Sequence, residues 1–163
     1  METDQLKEIV LPTEIKIGGL VKEDLIKRVL AAGFKIEQNT LTFIKQNNFP
    51  CTYKKKTLRL VYKTTVEMGL GEEPTYKEVK EWIIKNGSLC DIDTALWISL
   101  EYANQSLVEW IAVMSNPLPE KYDNDPCTLH LTNLKESQCN QISYCYFRPH
   151  HQMKNKLFCY LEK

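Results

Sequence analysis

The stretch QISYCYF at residues 141–147 alternates apolar and polar side chains, and two similar stretches flank it, CTLHL at 127–131 and KLFCYL at 156–161. Alternation with a period of two predicts β-strands that have one face on a core. The segments between them, NLKESQCN and RPHHQMKN, are rich in turn-forming residues. We therefore predict that the three strands form an antiparallel meander at the C-terminal end of the chain.

Further strands are predicted on the N-terminal side of this meander. ALWISLEYA at 95–103 and LVEWIAVM at 107–114 alternate well enough to form two strands, with a reversal at Asn104-Gln105-Ser106 between them. TLRLVYKTTV at 57–66 is rich in β-branched residues and predicts another strand. EIKI, after Pro12 and before a Gly-Gly pair, predicts a short edge strand or an ordered arm.

The first half of the chain also carries the helical patterns. Apolar residues recur at helical spacing in 21–34, in the shorter stretch 39–46, and in 74–87, where Thr75 and Glu78 form a capping box. The predicted fold is a single α+β domain over 1–163. It has an arm or edge strand at 1–20, a mainly helical part at 21–90, and antiparallel strands at 91–163 that make a sheet of about five strands.

Composition and charge narrow the classes of function. The chain has 163 residues, of which 43% are hydrophobic, and its 21 basic and 21 acidic side chains cancel. A chain without net charge has no long-range attraction to nucleic acid or to anionic lipid. The opening METDQLKEIV lacks the basic and apolar regions of a signal peptide, and no stretch is apolar enough to span a membrane. We therefore expect a cytoplasmic protein without a membrane partner.

Cysteines and histidines near the C-terminus invite a metal-site interpretation, because thiolate and imidazole are the ligands that zinc prefers. The candidates are Cys139, Cys145, His150, His151 and Cys159. Their spacing lacks the tight pair of ligands found in structural zinc sites, and Cys145 and Cys159 alternate in phase with apolar neighbours. We expect buried free thiols instead, and neither a metal nor another cofactor.

Two alternatives to a plain binding role remain open from the residues. In the first, the protein is an enzyme with a cysteine nucleophile, Cys90 or Cys51, and one of the histidines, His130, His150 or His151, as its base. In the second, it binds nucleic acid through the basic run Lys54, Lys55, Lys56, Arg59 and Lys63, which no acidic residue interrupts. Neither has a specific motif, and a solvated surface explains the basic run more simply.

Aromatic residues carry the leading functional hypothesis. Alternation in SYCYF puts Tyr144 and Tyr146 on one face of a strand and Cys145 and Phe147 on the other. If the second face packs on the helices, the two tyrosines lie near solvent, close to Arg148 and His150. Tyrosine and arginine are enriched at binding surfaces for protein, and aromatic side chains stack on single-stranded nucleic acid.

Three blocks of the chain resemble a family of small uncharacterised bacterial proteins. They are GGLVKEDLIKRVLAAGFKI at 18–36, LGEEPTYKEVKEWIIKNGSLCD at 70–91 and ISLEYANQSLVEWIAVMSNPL at 98–118. The chain departs from the family pattern at Asn104-Gln105-Ser106 and at Asp91-Ile92. The resemblance implies no activity, only that Tyr102, Gln105 and Trp110 belong to a shared feature.

The sequence thus predicts a non-catalytic interaction or regulatory protein that binds another macromolecule, most simply a protein, through a sheet face and its turns. The expected binding residues are Tyr102, Gln105, Trp110, Tyr144, Tyr146, Arg148 and His150.

Overall fold

The computed structural model describes residues 11–101, 110–116, 127–134, 139–154 and 156–163. Within these ranges the chain has an α+β fold with four helices and one mixed seven-stranded sheet. The helices are α1 (Lys22–Ala31), α2 (Gln38–Ile44), α3 (Tyr76–Asn86) and α4 (Thr94–Glu101). The strands are β1 (Glu14–Ile17), β2 (Lys35–Ile36), β3 (Lys56–Thr64), β4 (Ile111–Val113), β5 (Cys127–Leu134), β6 (Cys139–Tyr146) and β7 (Leu157–Leu161).

The strand order of the sheet is β1-β3-β7-β4-β5-β6-β2. β5 and β6 form the predicted antiparallel pair, but the predicted meander is wrong, because β7 lies between β3 and β4 instead of beside β6. The sheet is also not wholly antiparallel, since β4 runs parallel to β7 and β2 runs parallel to β6. Two of its strands, β2 and β3, come from the part at 21–90 that we predicted to be mainly helical, and of these only β3 was predicted.

Local patterns in the first half of the chain are confirmed by the structure. β1, α1, α2, β3 and α3 all lie where the sequence predicts them. The capping box of α3 is complete: the Thr75 hydroxyl accepts the Glu78 backbone N–H at 3.3 Å, and the Glu78 carboxylate accepts the Thr75 N–H at 2.7 Å. Two N–H groups without a helical acceptor are thereby satisfied, which fixes the start of the helix.

The stretch 95–103 corrects the sequence analysis most clearly. We predicted a strand there, and the structure has helix α4 over Thr94–Glu101. Every residue from 92 to 99 is buried, so the helix presents no polar face. Without a polar face a helical period of 3.6 leaves no mark on the sequence, and the accidental apolar–polar alternation of ISLE at 98–101 imitates a strand.

The sheet separates two hydrophobic clusters, one on each face. Face A, the first, contacts α1, α2 and α4, and its strand side chains include Leu58, Leu60, Leu129, Leu131, Ile142 and Cys159. Face B, the second, contacts α3, and its strand side chains include Ala112, Phe158 and Tyr160. Adjacent residues of β7 fall into opposite clusters, as the pleat of a strand requires. In the described parts of the chain, no helix is long and apolar enough to cross a membrane.

Candidate functional site

The segment that follows β6 is hydrogen-bonded to the start of helix α3. The backbone carbonyl of His151 accepts the Tyr76 N–H at 2.8 Å, and that of Pro149 accepts the Lys77 N–H at 3.1 Å. On the way to β7, the Met153 N–H donates to the carbonyl of Pro74 at 2.6 Å. These bonds satisfy N–H groups of the first helical turn and hold the 148–153 turn in one position. Arg148 and His150 are exposed on this fixed turn.

Beside the turn lies a group of stacked rings, the Trp110 cluster, which consists of Trp110, His130, Phe147, His151 and Phe158. The Trp110 and His130 rings meet edge to face with centroids 4.0 Å apart, and His130 stacks on Phe147 at 5.4 Å. Phe147 contacts His151 edge to face at 6.4 Å, and Trp110 contacts Phe158 at 6.3 Å. Contacts of this kind add stabilisation beyond that of buried area, so the rings form a stiff unit on face B.

The electrostatics of the cluster follow from the burial of one imidazole and the proximity of one ammonium group. His130 is only 4% exposed, and its Nε2 lies 2.9 Å from the Thr128 hydroxyl. Burial, together with the positive charge of Lys156, lowers the pKa of His130 from 6.5 to about 3. The ring is therefore neutral at physiological pH. Lys156 lies with its Nζ 4.0 Å from the centroid of the Trp110 ring, a cation–π contact.

The structure brings part of the predicted site together. A chain of ring contacts runs from Trp110 through His130, Phe147 and His151 to His150, whose ring lies 5.6 Å from that of His151. Arg148 belongs to the same turn, where its backbone N–H donates to the His151 Nδ1 at 3.2 Å. Trp110, Arg148 and His150 thus share one end of face B. Tyr102 and Gln105 lie outside the described residues, as does the side chain of Tyr146.

Tyr144 does not belong to this surface, and the face that we predicted for it was wrong. Its ring packs against Phe43 of α2 with centroids 5.3 Å apart, and its backbone N–H donates to the Thr40 hydroxyl at 3.1 Å. Tyr144 therefore lies on face A, half-buried against a helix. Phe147, at the end of the same strand, packs into the cluster on face B. The alternation was read correctly, but the helices that cover face A were assigned to the wrong side.

Lys156 and His130 are not among the binding residues that we predicted from the sequence. His130 alternates with Leu129 and Leu131, which are in the face A cluster, so this pattern does put His130 on the other face. Nothing in the sequence places Lys156 over Trp110, because the two residues meet only through the parallel pairing of β4 with β7.

Cys90 does not have the properties of a nucleophile. Its side chain is fully buried, and its backbone N–H donates to the carbonyl of Met114 at 2.8 Å. A hydrogen bond with the Cys159 thiol, added to burial, raises the pKa of Cys90 well above 9.0. Cys90 is thus a protonated thiol in the face A cluster, whereas the His130 ring lies on face B. Cys90 and His130 therefore do not form a pair of nucleophile and base.

The metal-site candidates are also separated. Cys159 lies in the face A cluster, whereas Cys145, next to the face A residue Tyr144 along β6, points to face B. The Cys139 thiol lies near the end of α1, 3.6 Å from the backbone carbonyl of Gly33. Among the residues that the structure describes, no three His, Cys, Asp or Glu side chains are grouped as metal ligands.

The basic run does not form a continuous phosphate-binding track. Lys56 is 3.0 Å from Asp91, and Arg59 lies between Glu14 and Glu162 at 3.9 and 3.8 Å. Lys63 lies over the ring of Trp82 at 5.6 Å, away from the other basic residues.

No protein-family model matches this chain, and no curated protein and no solved structure is similar to it. The resemblance to small bacterial proteins stays a prediction.

Proposed function

We propose that the protein is a non-catalytic interaction protein. Its binding surface is the open rim of the Trp110 cluster together with the 148–153 turn. The partner that suits this surface is another protein, which presents an acidic segment with apolar side chains. The observation that carries the proposal is the Lys156 ammonium group, 4.0 Å over the Trp110 ring, at the edge of five contacting rings.

The charge of the surface favours an acidic partner. From Phe147 to Leu161 the chain has no Asp or Glu, and it carries Arg148, Lys154 and Lys156, all of them exposed. Cations at the rim of an apolar centre steer an oppositely charged partner and suppress the wrong ones. Arg148 offers a planar fork of donors, which suits a carboxylate.

The rigidity of the surface favours binding as well. Three backbone hydrogen bonds hold the turn against α3, and the rings behind it are stacked on one another. A preformed surface loses little conformational freedom on association, so more of the contact energy contributes to affinity. Half-buried Trp110 and Phe147 supply the aromatic centre that interfaces typically have.

Catalysis is not part of the proposal, because the groups in the cluster are poorly suited to proton transfer. An imidazole whose pKa is about 3 is a weak base at neutral pH. Its hydrogen-bond partner is the Thr128 hydroxyl, which no described base activates.

The test is affinity capture from cell extract with quantitative mass spectrometry and three forms of the protein. They are the wild type, the charge-reversed R148E/K156E double variant, and a control double variant, K35E/K45E, with the same charge change at exposed positions in β2 and at the end of α2. We expect an acidic protein to be retained by the wild type and the control. Its retention by R148E/K156E should fall at least about tenfold.

The same captured protein is then eluted with salt, because screening weakens contacts between exposed charges. Equal retention by all three forms, or loss with the control as well, would contradict the proposed surface. Circular dichroism of each form ensures that a lost partner does not reflect a lost fold.

A further inference from the structure

A second candidate site lies at the opposite end of the sheet, where β1 turns into α1. The turn consists of Gly18 and Gly19, whose φ angles are +89° and +84°. It is pressed against the segment before β3: the Gly19 N–H donates to the carbonyl of Tyr53 at 2.8 Å, and a Cβ on Gly18 would overlap the backbone carbonyl of Lys54. Only glycine combines this conformation with so close an approach. The consequence is that Lys55 lies directly beside the turn.

The turn borders an open pocket of about 320 Å³, which we call the Gly18 pocket. Its charged lining consists of three cations, Lys16 from β1, Arg28 from α1 and Lys55 from the segment before β3, and of one carboxylate, Glu101 at the end of α4. The remaining wall is apolar and consists of Leu20, Trp97 and Leu100. A neighbouring depression of about 370 Å³ shares Lys16, Gly18 and Lys55 and adds Lys56.

The three cations of the pocket differ from two of their neighbours in the chain, Lys27 and Lys56, in having no acidic partner within 4 Å among the described residues. Lys56 and Arg59 each have an acidic partner within 4 Å, and so does Lys27, which is next to Arg28 in the chain. Within the described ranges, Lys16, Arg28 and Lys55 take part in no ion pair. Three cations against the single carboxylate of Glu101 leave the pocket with a net positive charge, and a bound anion reduces the repulsion among the cations.

The apolar wall is fixed. Trp97 is 5% exposed, and its indole N–H donates to the Asp93 carboxylate at 3.1 Å. The other Asp93 contacts are with Thr52, whose backbone N–H donates at 2.7 Å. Trp97 therefore contributes only a small exposed edge, and the half-buried side chains of Leu20 and Leu100 supply most of the apolar wall. An apolar wall close to cations suits a ligand with one anionic and one apolar part.

We propose that the Gly18 pocket binds a small phosphate-bearing molecule. The phosphate lies among Lys16, Arg28 and Lys55, and the rest of the ligand packs against Leu20, Trp97 and Leu100. A phosphate fits better than a carboxylate, because it carries nearly two negative charges and three acceptor oxygens for three cationic donors. Glu101 accepts a hydrogen bond from a hydroxyl or amino group of the ligand.

This site is independent of the proposed interaction surface. The pocket adjoins β1, at one edge of the sheet, whereas the Trp110 cluster belongs to β4, β5 and β7 and to the end of β6. The R148E/K156E variant is therefore expected to bind the small ligand as the wild type does, and a failure of either proposal leaves the other unaffected.

The test is titration calorimetry at low ionic strength with four probes: inorganic phosphate, phenyl phosphate, benzoate and a single-stranded oligothymidylate. We expect phenyl phosphate to bind most tightly, since it alone combines a phosphate with a ring for the apolar wall. Lys55→Gln and Arg28→Gln should each weaken it at least about tenfold. The matched control is Lys27→Gln, one residue from Arg28 on the same helix, and it should change nothing.

Glu101→Gln adds a second measurement, which does not depend on losing a contact. Removal of the carboxylate should increase the affinity for inorganic phosphate roughly threefold, because one repulsive charge disappears. Absence of phosphate binding, equal affinity of wild type and Arg28→Gln, or equal affinity for benzoate would each overturn the proposal. Tighter binding of the oligonucleotide, lost with Lys55→Gln, would identify the pocket as part of a nucleic-acid surface instead.

Discussion

The two faces of the sheet are built from the same strands but differ in what covers them. Face A is closed by three helices and consists mainly of aliphatic side chains, with Phe34, Phe43 and Phe49 at its margin. Among the described helices only α3 packs on face B, whose cluster contains Met68, Met114 and Met153 together with a high share of aromatic residues. Aliphatic side chains specify one packing arrangement, whereas the flexible methionine side chain tolerates changes in its surroundings. We therefore expect face A to contribute most of the stability of the fold, whereas face B carries the proposed binding surface.

The first prediction separates the two faces by their tolerance of core substitutions. Leu96→Ala, in the fully buried helix on face A, should lower the free energy of unfolding by about 2–5 kcal/mol, because it leaves a cavity. The matched truncation on face B, Met114→Ala, should lower it by only about 2 kcal/mol, because the methionine-rich cluster relaxes into the cavity more easily. Urea denaturation of both variants measures the difference. Equal losses would mean that the faces do not differ in packing.

The second prediction concerns the thiols. Cys90 and Cys159 are fully buried in the face A cluster, whereas Cys145 is half-buried and points to face B. Alkylation of Cys145 in the native protein should be at least about 100-fold faster than that of the other two, since these become accessible only when the structure opens. Mass spectrometry of peptides from timed reactions gives the rates. Rapid labelling of Cys90 would revive the hypothesis of a cysteine nucleophile.

The third prediction uses the buried imidazole of face B. The pKa of His130 is about 3 in the folded chain and near 6.5 in the unfolded one, so the unfolded state binds more protons between these values. Stability is therefore present above pH 6.5 and decreases as the pH falls towards 3. Between pH 7 and pH 5 the loss should be about 2 kcal/mol.

Chemical denaturation at several pH values tests this dependence, with His130→Gln as the control that removes the titrating group. The two carboxyls with a lowered pKa, Glu37 and Glu78, add their own acid sensitivity only below their ordinary value of 4.5. An unchanged pH profile in His130→Gln would show that another group is responsible.

The smallest predicted effect compares a capped helix on face B with an uncapped one on face A. Thr75→Ala removes the capping box of α3 and should cost about 1 kcal/mol. Helix α1 has Val21 at its N-cap and no side-chain hydrogen bond there, so Val21→Ser should stabilise the protein by about 0.5 kcal/mol. Thermal unfolding of the two variants should therefore shift in opposite directions. A shift in the same direction would contradict the capping argument.

The sequence predicted the position of a helix or strand correctly wherever a single local pattern determines that element. The capping box at Thr75 located α3, and the period-two alternation located β3, β5, β6 and β7. Helix α4 was not predicted, because a helix that is buried on all sides lacks the polar face by which a helix is recognised in a sequence. The two-residue strand β2 is too short to show any period.

The arrangement of the strands could not be read from the sequence, because pairing depends on contacts between distant segments. No local pattern puts β7 between β3 and β4, or Tyr144 against α2 and Phe147 against α3. Of the predicted binding residues, Trp110, Arg148 and His150 lie together at one end of face B, whereas Tyr144 lies on face A. Lys156, which lies over Trp110, was not among the predicted residues.

The lengths of the outermost strands have a consequence for behaviour at high concentration. β1 has four residues and β2 has two, although their inner neighbours β3 and β6 have nine and eight. Beyond β2, the Tyr144 N–H of β6 is already taken by the Thr40 hydroxyl. Each edge of the sheet therefore offers a second molecule only a short outermost strand to pair with. Short edge strands are one way in which natural sheets avoid joining edge to edge into fibres.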